Sequence, residues 1–370
     1  MDFDYSDEQR MLADSVQRLV SQHWGMAQRR ERAARSTLDP QVWQALAGLG
    51  VLGLNIPQEY GGFGEPADSL LPVHLELGRG LVAEPVIPSA VMASAMLQAC
   101  DPAAQACWLP GIATGEIVAT VAYQEPGRRY AVLPQDCHAA PEGEGWLLNG
   151  VKTLVWQGAV ADLILLTARG PQGQTLLFAL PASASGLQRL DTPTLDRSRC
   201  ARLQLDRVVL PAQALLARGE AADQALERAL AWGIAALCAH GAGAMSRLLE
   251  LTLDYVKTRR QFGQPLAAFQ VVQHRMADML VAKEMALSMA YVAVAALNQS
   301  DPRERRRGIA AAKLQLARSG REIGQAAVQL HGGMGMTDEL EVGDFFKRLT
   351  MLDALFGDTA EQLAQWEELA

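Results

Sequence analysis

Over residues 220–257, 266–298 and 303–331 the chain carries three long apolar periodicities with few residues that would break a helix. Apolar positions that recur every three or four residues put one stripe on each helix. Stripes of this length need other helices to cover them, and the natural solution is an antiparallel bundle. Asp301-Pro302 marks the turn between the last two.

The preceding segment, 115–212, has a different character. EIVATVAY, GWLLNGVKTLVW, DLILLTAR, TLLFALP and ARLQLDRVVLP are short β-type runs split by Gly, Pro, Asp and Ser. They predict an antiparallel β domain. Before them the chain reads helical again. Ser6 and Gln9 form a capping box, each side chain reaching a free backbone N–H. Leu12, Val16, Leu19 and Val20 follow on one face, and Asp39-Pro40 starts a second helix that Gly48 and Gly50 end. IPQEYGGFG (56–64) is a turn-rich loop, and further helices fit 67–82, 88–100 and 102–113. The expected fold is α+β, with an N-terminal helical domain (1–114), a middle antiparallel β domain (115–215) and a C-terminal helical bundle (216–370).

Composition narrows the function. With 370 residues, 49% hydrophobic and 20% charged, the chain can bury two or three domain cores. A net charge of -8 argues against a nucleic-acid footprint but leaves room for an anionic small molecule held by local cations. Cys100, Cys107, Cys137, Cys200 and Cys238 show no CxxC spacing and no clustered histidines, so no metal site is expected. Their scatter fits a reducing compartment, the cytoplasm. The opening MDFDYSDEQR is acidic and lacks the apolar core of a secretory signal. The most apolar stretch, 229–245, is interrupted by Trp232, Gly233, His240, Gly241 and Gly243, and reads as a buried helix rather than a membrane span.

Two stretches could carry chemistry. In DYVKTRRQFGQPLAAFQ (254–270), Arg259 and Arg260 end a helix, where the dipole favours cations. They also stand beside a Gly263-Gln264-Pro265 turn, with Phe262 and Phe269 able to lie against a planar ring and Gln270 and Gln273 able to hydrogen-bond phosphate, ribose or base. Arginine is the side chain best shaped for a bidentate grip on phosphate. In AVQLHGGMGMTDELEVGDFFKRL (327–349), Gly332 and Gly333 either close a helix or bring backbone N–H groups to an anion. His331 reads as a packed histidine.

These stretches, with PQEYGGFG and the opening MDFDYSDEQRMLADSV, resemble the acyl-CoA dehydrogenase family over nearly the whole chain. The resemblance implies an α–β–α subunit, FAD as cofactor, an acyl-CoA substrate and electron-transfer flavoprotein as acceptor. It also implies oligomers in which the C-terminal motifs of one subunit clamp the FAD seated in a neighbour. Arg259, Gln261, Phe262, Gln270, Gln329, Gly332 and Gly333 fall on that clamp. In the family reaction a glutamate takes a proton next to the thioester carbonyl while a hydride leaves the next carbon for the flavin.

The resemblance fails where the chemistry would sit. Phe356 stands at the usual glutamate position in ALFGDTAEQ, and a phenyl ring accepts no proton; Asp358 is the nearest weak candidate for a catalytic base. Gly233 falls at the alternative base position. The family's flavin-facing Thr and Ser are replaced by Gln124 and Tyr130, around a matching Glu125-Pro126, and its aromatic-Ile-Thr segment reads Leu154-Val155-Trp156. The overall match, FKRLTMLDALFGD included, is closest to the small subunits of pimeloyl-CoA dehydrogenase-type heteromeric enzymes; related two-gene dehydrogenases act on bulky chains such as steroid side chains. The expected function is a subunit that lends FAD contacts to a larger partner in a heterotetramer. The alternatives are a homo-oligomeric dehydrogenase with another base, and a flavin-free scaffold. No nucleic-acid or membrane partner is expected.

Overall fold

The computed structural model describes residues 5–35 and 37–369. Along the chain come α1 (Asp7–His23), α2 (Met26–Ala33), α3 (Pro40–Gly48), α4 (Leu70–Arg79), a π-helical segment (Val86–Ala93) running into α5 (Ser94–Leu97), and α6 (Pro102–Thr114). Eight strands follow: β1 (Ala119–Ala122), β2 (His138–Glu142), β3 (Gly145–Trp156), β4 (Leu163–Arg169), β5 (Thr175–Pro181), β6 (Leu187–Pro193), β7 (Arg199–Pro211) and β8 (Leu215–Arg218). The long helix α7 (Glu220–Thr258) leads to a two-stranded hairpin, β9 (Arg260–Gln261) and β10 (Gln264–Pro265), then to α8 (Gln270–Ala296), α9 (Pro302–His331), α10 (Val342–Ala354) and α11 (Thr359–Glu368). The opening four residues of the resemblance lie outside the described residues.

Local chemistry explains the starts. Ser6 Oγ accepts from Gln9 N–H while Gln9 Oε1 accepts from Ser6 N–H, the full capping box. Asp39, Asp101 and Asp301 each cap a helix whose first residue is proline. The order along the chain is helices, then strands, then helices, as expected; by compactness the same elements group into two units. A sheet unit takes Glu31–Pro66 and Ala83–Gly233; a helical unit takes Met1–Arg30, Ala67–Val82 and Ile234–Ala370. The early helices divide between them: α1 packs on α4 in the helical unit, and α3 packs on α6 in the sheet unit.

In the sheet unit the strand order is β6-β7-β3-β2-β4-β5-β8, with β1 also pairing β4. The sheet is not purely antiparallel: β1 runs parallel to β4, Ala119 opposite Leu163, and β2 meets β4 in parallel at His138 and Arg169. The β2–β3 hairpin lies between β1 and β4 in sequence, so the chain re-enters beside β1 in the same direction. Ile164, Leu166, Phe178, Leu180, Leu203 and Leu205 fill the core. The π-helical segment packs against β1, where Ser89 Oγ accepts from Ala119 N–H at 2.9 Å.

In the helical unit α7 and α4 cross at very short range. A Cβ on Gly78 would lie 1.9 Å from the His240 carbonyl oxygen, and one on Gly243 would lie 1.9 Å from that of Leu75. The apolar window of α7 is 83% buried, as a core helix requires, whereas that of α8 is only 39% buried. Val271, Val281 and Met285 on α8 remain exposed.

Candidate functional site

The first group of site residues is assembled at one end of the helical unit. Tyr255, one turn before the end of α7, stacks on His331, the last residue of α9, with ring centroids 4.2 Å apart. Its hydroxyl donates to the His331 carbonyl at 3.3 Å. His331 Nδ1 bonds the Ala327 carbonyl at 2.8 Å, and because a carbonyl only accepts, this nitrogen carries the proton. Burial holds the ring below the usual histidine range. His331 is therefore a packed histidine that ties two helix ends together, and it brings Arg259 and Gly332 to the same end of the unit.

Beyond α7 the chain turns sharply. Phe262 (φ 51°) and Gly263 (φ 80°) are both left-handed, the geometry of a type I′ hairpin turn. α7 ends at Thr258, so Arg259 follows it and Arg260 opens β9 rather than ending the helix. Arg259, Gln261, Phe262, Gln270, Gln329, Gly332 and Gly333 are all exposed, Phe262 at 91%. The Arg259 side chain forms no hydrogen bond or ion pair with any described residue. Gln261 and Gln273 bond locally, to the carbonyls of Arg260 and Ala267. Gly332 does cap α9, its N–H donating to Gln329 and its φ at 59°. A Cβ on Gly333 would meet nothing within 4 Å, so packing inside the chain does not call for glycine there.

The second group lies in the helical unit at residues 353–362. Phe356 (φ 59°) and Gly357 (φ 107°) form a left-handed turn. Gln362 Nε2 donates to the Phe356 carbonyl at 2.9 Å. Lys313, fully buried, donates to the carbonyls of Asp353 at 2.9 Å and Gly357 at 3.1 Å. Burial pulls this ammonium down to about 8. Asp358 is the N-cap of α11, its Oδ1 accepting from Glu361 N–H at 3.0 Å. That engagement makes it the polar cap beside Gly357. Sequence reasoning missed Lys313 because a lysine inside a helical periodicity reads as solvated.

The third group is in the sheet unit. Glu125, matched in sequence to the family motif, is consumed structurally. It accepts from the N–H groups of Gln135, Asp136 and Cys137 at 2.7–3.1 Å and from Lys152 Nζ at 2.9 Å. Burial alone would raise its carboxyl; Lys152 and the backbone donors outweigh burial and hold it below the ordinary value. Gln124 is buried, with Nε2 at 3.5 Å from the Arg129 carbonyl. Tyr130 lies under the Arg129 guanidinium, 5.5 Å from its ring centre. Trp156 is 8% exposed, and its carbonyl accepts from Thr120 Oγ1 at 2.7 Å. It ends a strand whose register shifts between Lys152 and Val155, with Leu154 left-handed. A Cβ on Gly233 would lie 2.7 Å from Met92 Cγ, so a side chain there would require the methionine to shift.

Comparison with known proteins places these groups in context. The profile of the acyl-CoA dehydrogenase N-terminal domain matches residues 6–116, and that of the C-terminal domain matches 202–368. Acyl-CoA dehydrogenase IpdE2 of Mycobacterium tuberculosis is 32% identical over 345 residues, 92% of this chain and 91% of the relative. Among solved structures, a variant of the Tcur3481-Tcur3483 steroid ACAD superposes with a TM-score of 0.88 at 30% identity, covering 98% of this chain and 97% of that one. The ChsE4-ChsE5 complex from Mycobacterium tuberculosis superposes with a TM-score of 0.90 at 24% identity, covering 100% and 98%, a likeness of fold.

Proposed function

The chain belongs to the acyl-CoA dehydrogenase family, whose members bind FAD and are oxidoreductases acting on CH–CH bonds, and from that premise we propose that it is the small subunit of a heteromeric enzyme that lends FAD contacts to a larger subunit. The carrying observation is the exposed, unpaired Arg259 at the same end of the helical unit as the exposed Gly332–Gly333 turn, the two segments joined by the Tyr255–His331 contact. These groups fit a dinucleotide: a guanidinium fork suits a pyrophosphate, glycines without side chains let it approach the backbone closely, and Phe262 suits a flat ring. FAD, when bound, supplies the hydride acceptor. Arg259, Gln261, Phe262, Gln270, Gln329, Gly332 and Gly333 would grip it from outside its seat.

The residues at this chain's own seat fit less well. Gln124 is turned inward, Tyr130 adds bulk where the family has a serine, and Trp156 closes the end of β3. Neither base position holds a carboxylate, since Phe356 and Gly233 occupy them. A subunit of this kind needs an unlike partner carrying both base and seat. Val271, Val281 and Met285 on α8 offer that partner an apolar face. The Tcur3481-Tcur3483 likeness, a pairing of two chains by name, supports the heteromer and a bulky acyl chain. The closeness to pimeloyl-CoA dehydrogenase small subunits, the electron-transfer flavoprotein acceptor and the cytoplasmic setting are part of the same proposal.

The test is expression of the chain alone and with a larger acyl-CoA dehydrogenase subunit from its gene neighbourhood. A colourless chain that yields a yellow, active complex on mixing is the expected result. A yellow, active chain without any partner would overturn the proposal, and a colourless chain that restores neither flavin nor activity would leave it a scaffold. No specific observation favours the homo-oligomeric alternative; Asp358 serves as the N-cap of α11.

A further inference from the structure

A short 3-10 helix runs from Gly332 to Met336, and the segment beyond it has little structure of its own. Thr337 to Glu341 forms only turns and bends before α10 begins. Its local bonds are few: Thr337 N–H and Oγ1 to the Met334 carbonyl, and Glu339 N–H to Thr337 Oγ1 at 3.4 Å. A cleft of about 960 Å³ in the helical unit borders it, lined in part by Trp24, Tyr255, His331, Glu339 and Leu340. Packing therefore does not support the segment on that side.

Two arginines more than 300 positions away in sequence hold it instead. Arg30 Nη1 donates to the Asp338 carbonyl and Nη2 to the Leu340 carbonyl at 3.5 Å. Arg30 Nε and Nη2 also reach Asp344 Oδ2 at 3.2 and 3.1 Å. Arg29 donates to Glu341 Oε2 at 2.8 Å and lies 3.6 Å from Asp344 Oδ2. Its Nε is fixed by the Trp24 carbonyl at 3.0 Å. The side chains of Arg29 and Asp344 are only 10% and 9% exposed, so salt screens this network less than it screens surface pairs. One planar guanidinium can serve two carbonyls and a carboxylate together; an ammonium cannot match that fork.

The glycine turn thus hangs between two anchors, the Tyr255–His331 stack before it and the arginine pair after it. We propose that Arg29 and Arg30 are positioning residues that hold the Gly332–Gly333 turn in shape for FAD. This rests on the reading of that turn as part of the clamp.

Hydrogen–deuterium exchange on the full chain tests the positioning. In Arg30→Gln, amides of 333–341 exchange about 10-fold faster or more, as a locally opened segment does, while α9 amides of 310–327 keep their rates. Arg30→Lys falls between, because it keeps one charge and loses the fork. Unchanged exchange, or an even rise across the chain, overturns the proposal. In the flavin-loaded complex, Arg30→Gln also speeds FAD release several-fold at temperatures well below unfolding. If Arg259→Ala speeds release and Arg30→Gln does not, the positioning role fails while the clamp reading survives. If neither variant changes release, the clamp reading fails and the proposal falls with it.

Discussion

At the scale of single residues, exposure and pairing separate site from scaffold. Arg259 is exposed and unpaired, so Arg259→Ala touches no internal bond. In the proposed partnered enzyme it is expected to weaken FAD retention by about 1–3 kcal/mol, the loss of a charge-assisted bond, at unchanged melting temperature. Flavin titration of wild type and variant checks this. Lys152 is the opposite case. It is fully buried and donates to Glu125 Oε1 and the Tyr123 carbonyl, both at 2.9 Å. Lys152→Met leaves the Glu125 carboxylate buried without its cation, so a loss of about 3–5 kcal/mol in chemical denaturation is expected; a midpoint unchanged from wild type would show the pair to be dispensable. Phe356→Glu places a carboxylate at the position proposed for the base, yet the chain alone is expected to stay inactive in a dye-reduction assay. On the proposed reading, Gln124, Tyr130 and Trp156 would still crowd its own seat.

At the scale of elements, the helices were the most legible part of the chain. The capping box at Ser6 and the Asp-Pro start at Asp39 are local bargains between neighbouring residues, and the structure keeps both. The three long periodicities became α7, α8 and α9. What those helices pack against was not legible. Gly78 and Gly243 look like isolated glycines in helical runs. In the fold each lies where a Cβ would strike a carbonyl of the opposite helix at 1.9 Å. Gly78→Ala must push α4 off α7, and overpacking of this kind typically costs about 1–3 kcal/mol. A thermal melt matching wild type would mean that the two helices part easily. The parallel β1–β4 pair was equally hidden, because strand direction depends on the route of the chain and not on the residues of either strand.

At the scale of the whole molecule, buried titratable groups govern acid stability. His74 is fully buried, and loss of hydration pushes it down to about 3. His240 is also well below the ordinary value, through burial first and then repulsion from Arg348 and His74. Both histidines bind protons more weakly folded than unfolded. Their contribution is whole above about pH 6.5 and drains away as pH falls toward 3. At pH 5, His74 alone should cost about 2 kcal/mol relative to neutral pH. Urea midpoints measured at pH 7 and pH 5 check this, with His74→Leu expected to flatten the difference; equal midpoints for the wild type would refute it. What the sequence determined alone was what near neighbours decide: helix starts, a sharp turn after α7 and the family-like motifs at Arg259 and Gly332; the structure centres that turn on Phe262–Gly263 rather than on Gly263-Gln264-Pro265, whose last two residues form β10. Tertiary structure decided which charges meet. Glu125 finds Lys152 from 27 positions away, and Arg30 finds Asp344 from 314. Capping and turn energies act over a few residues. The strength of a buried ion pair depends on a dry environment that exists only once distant segments have closed around it.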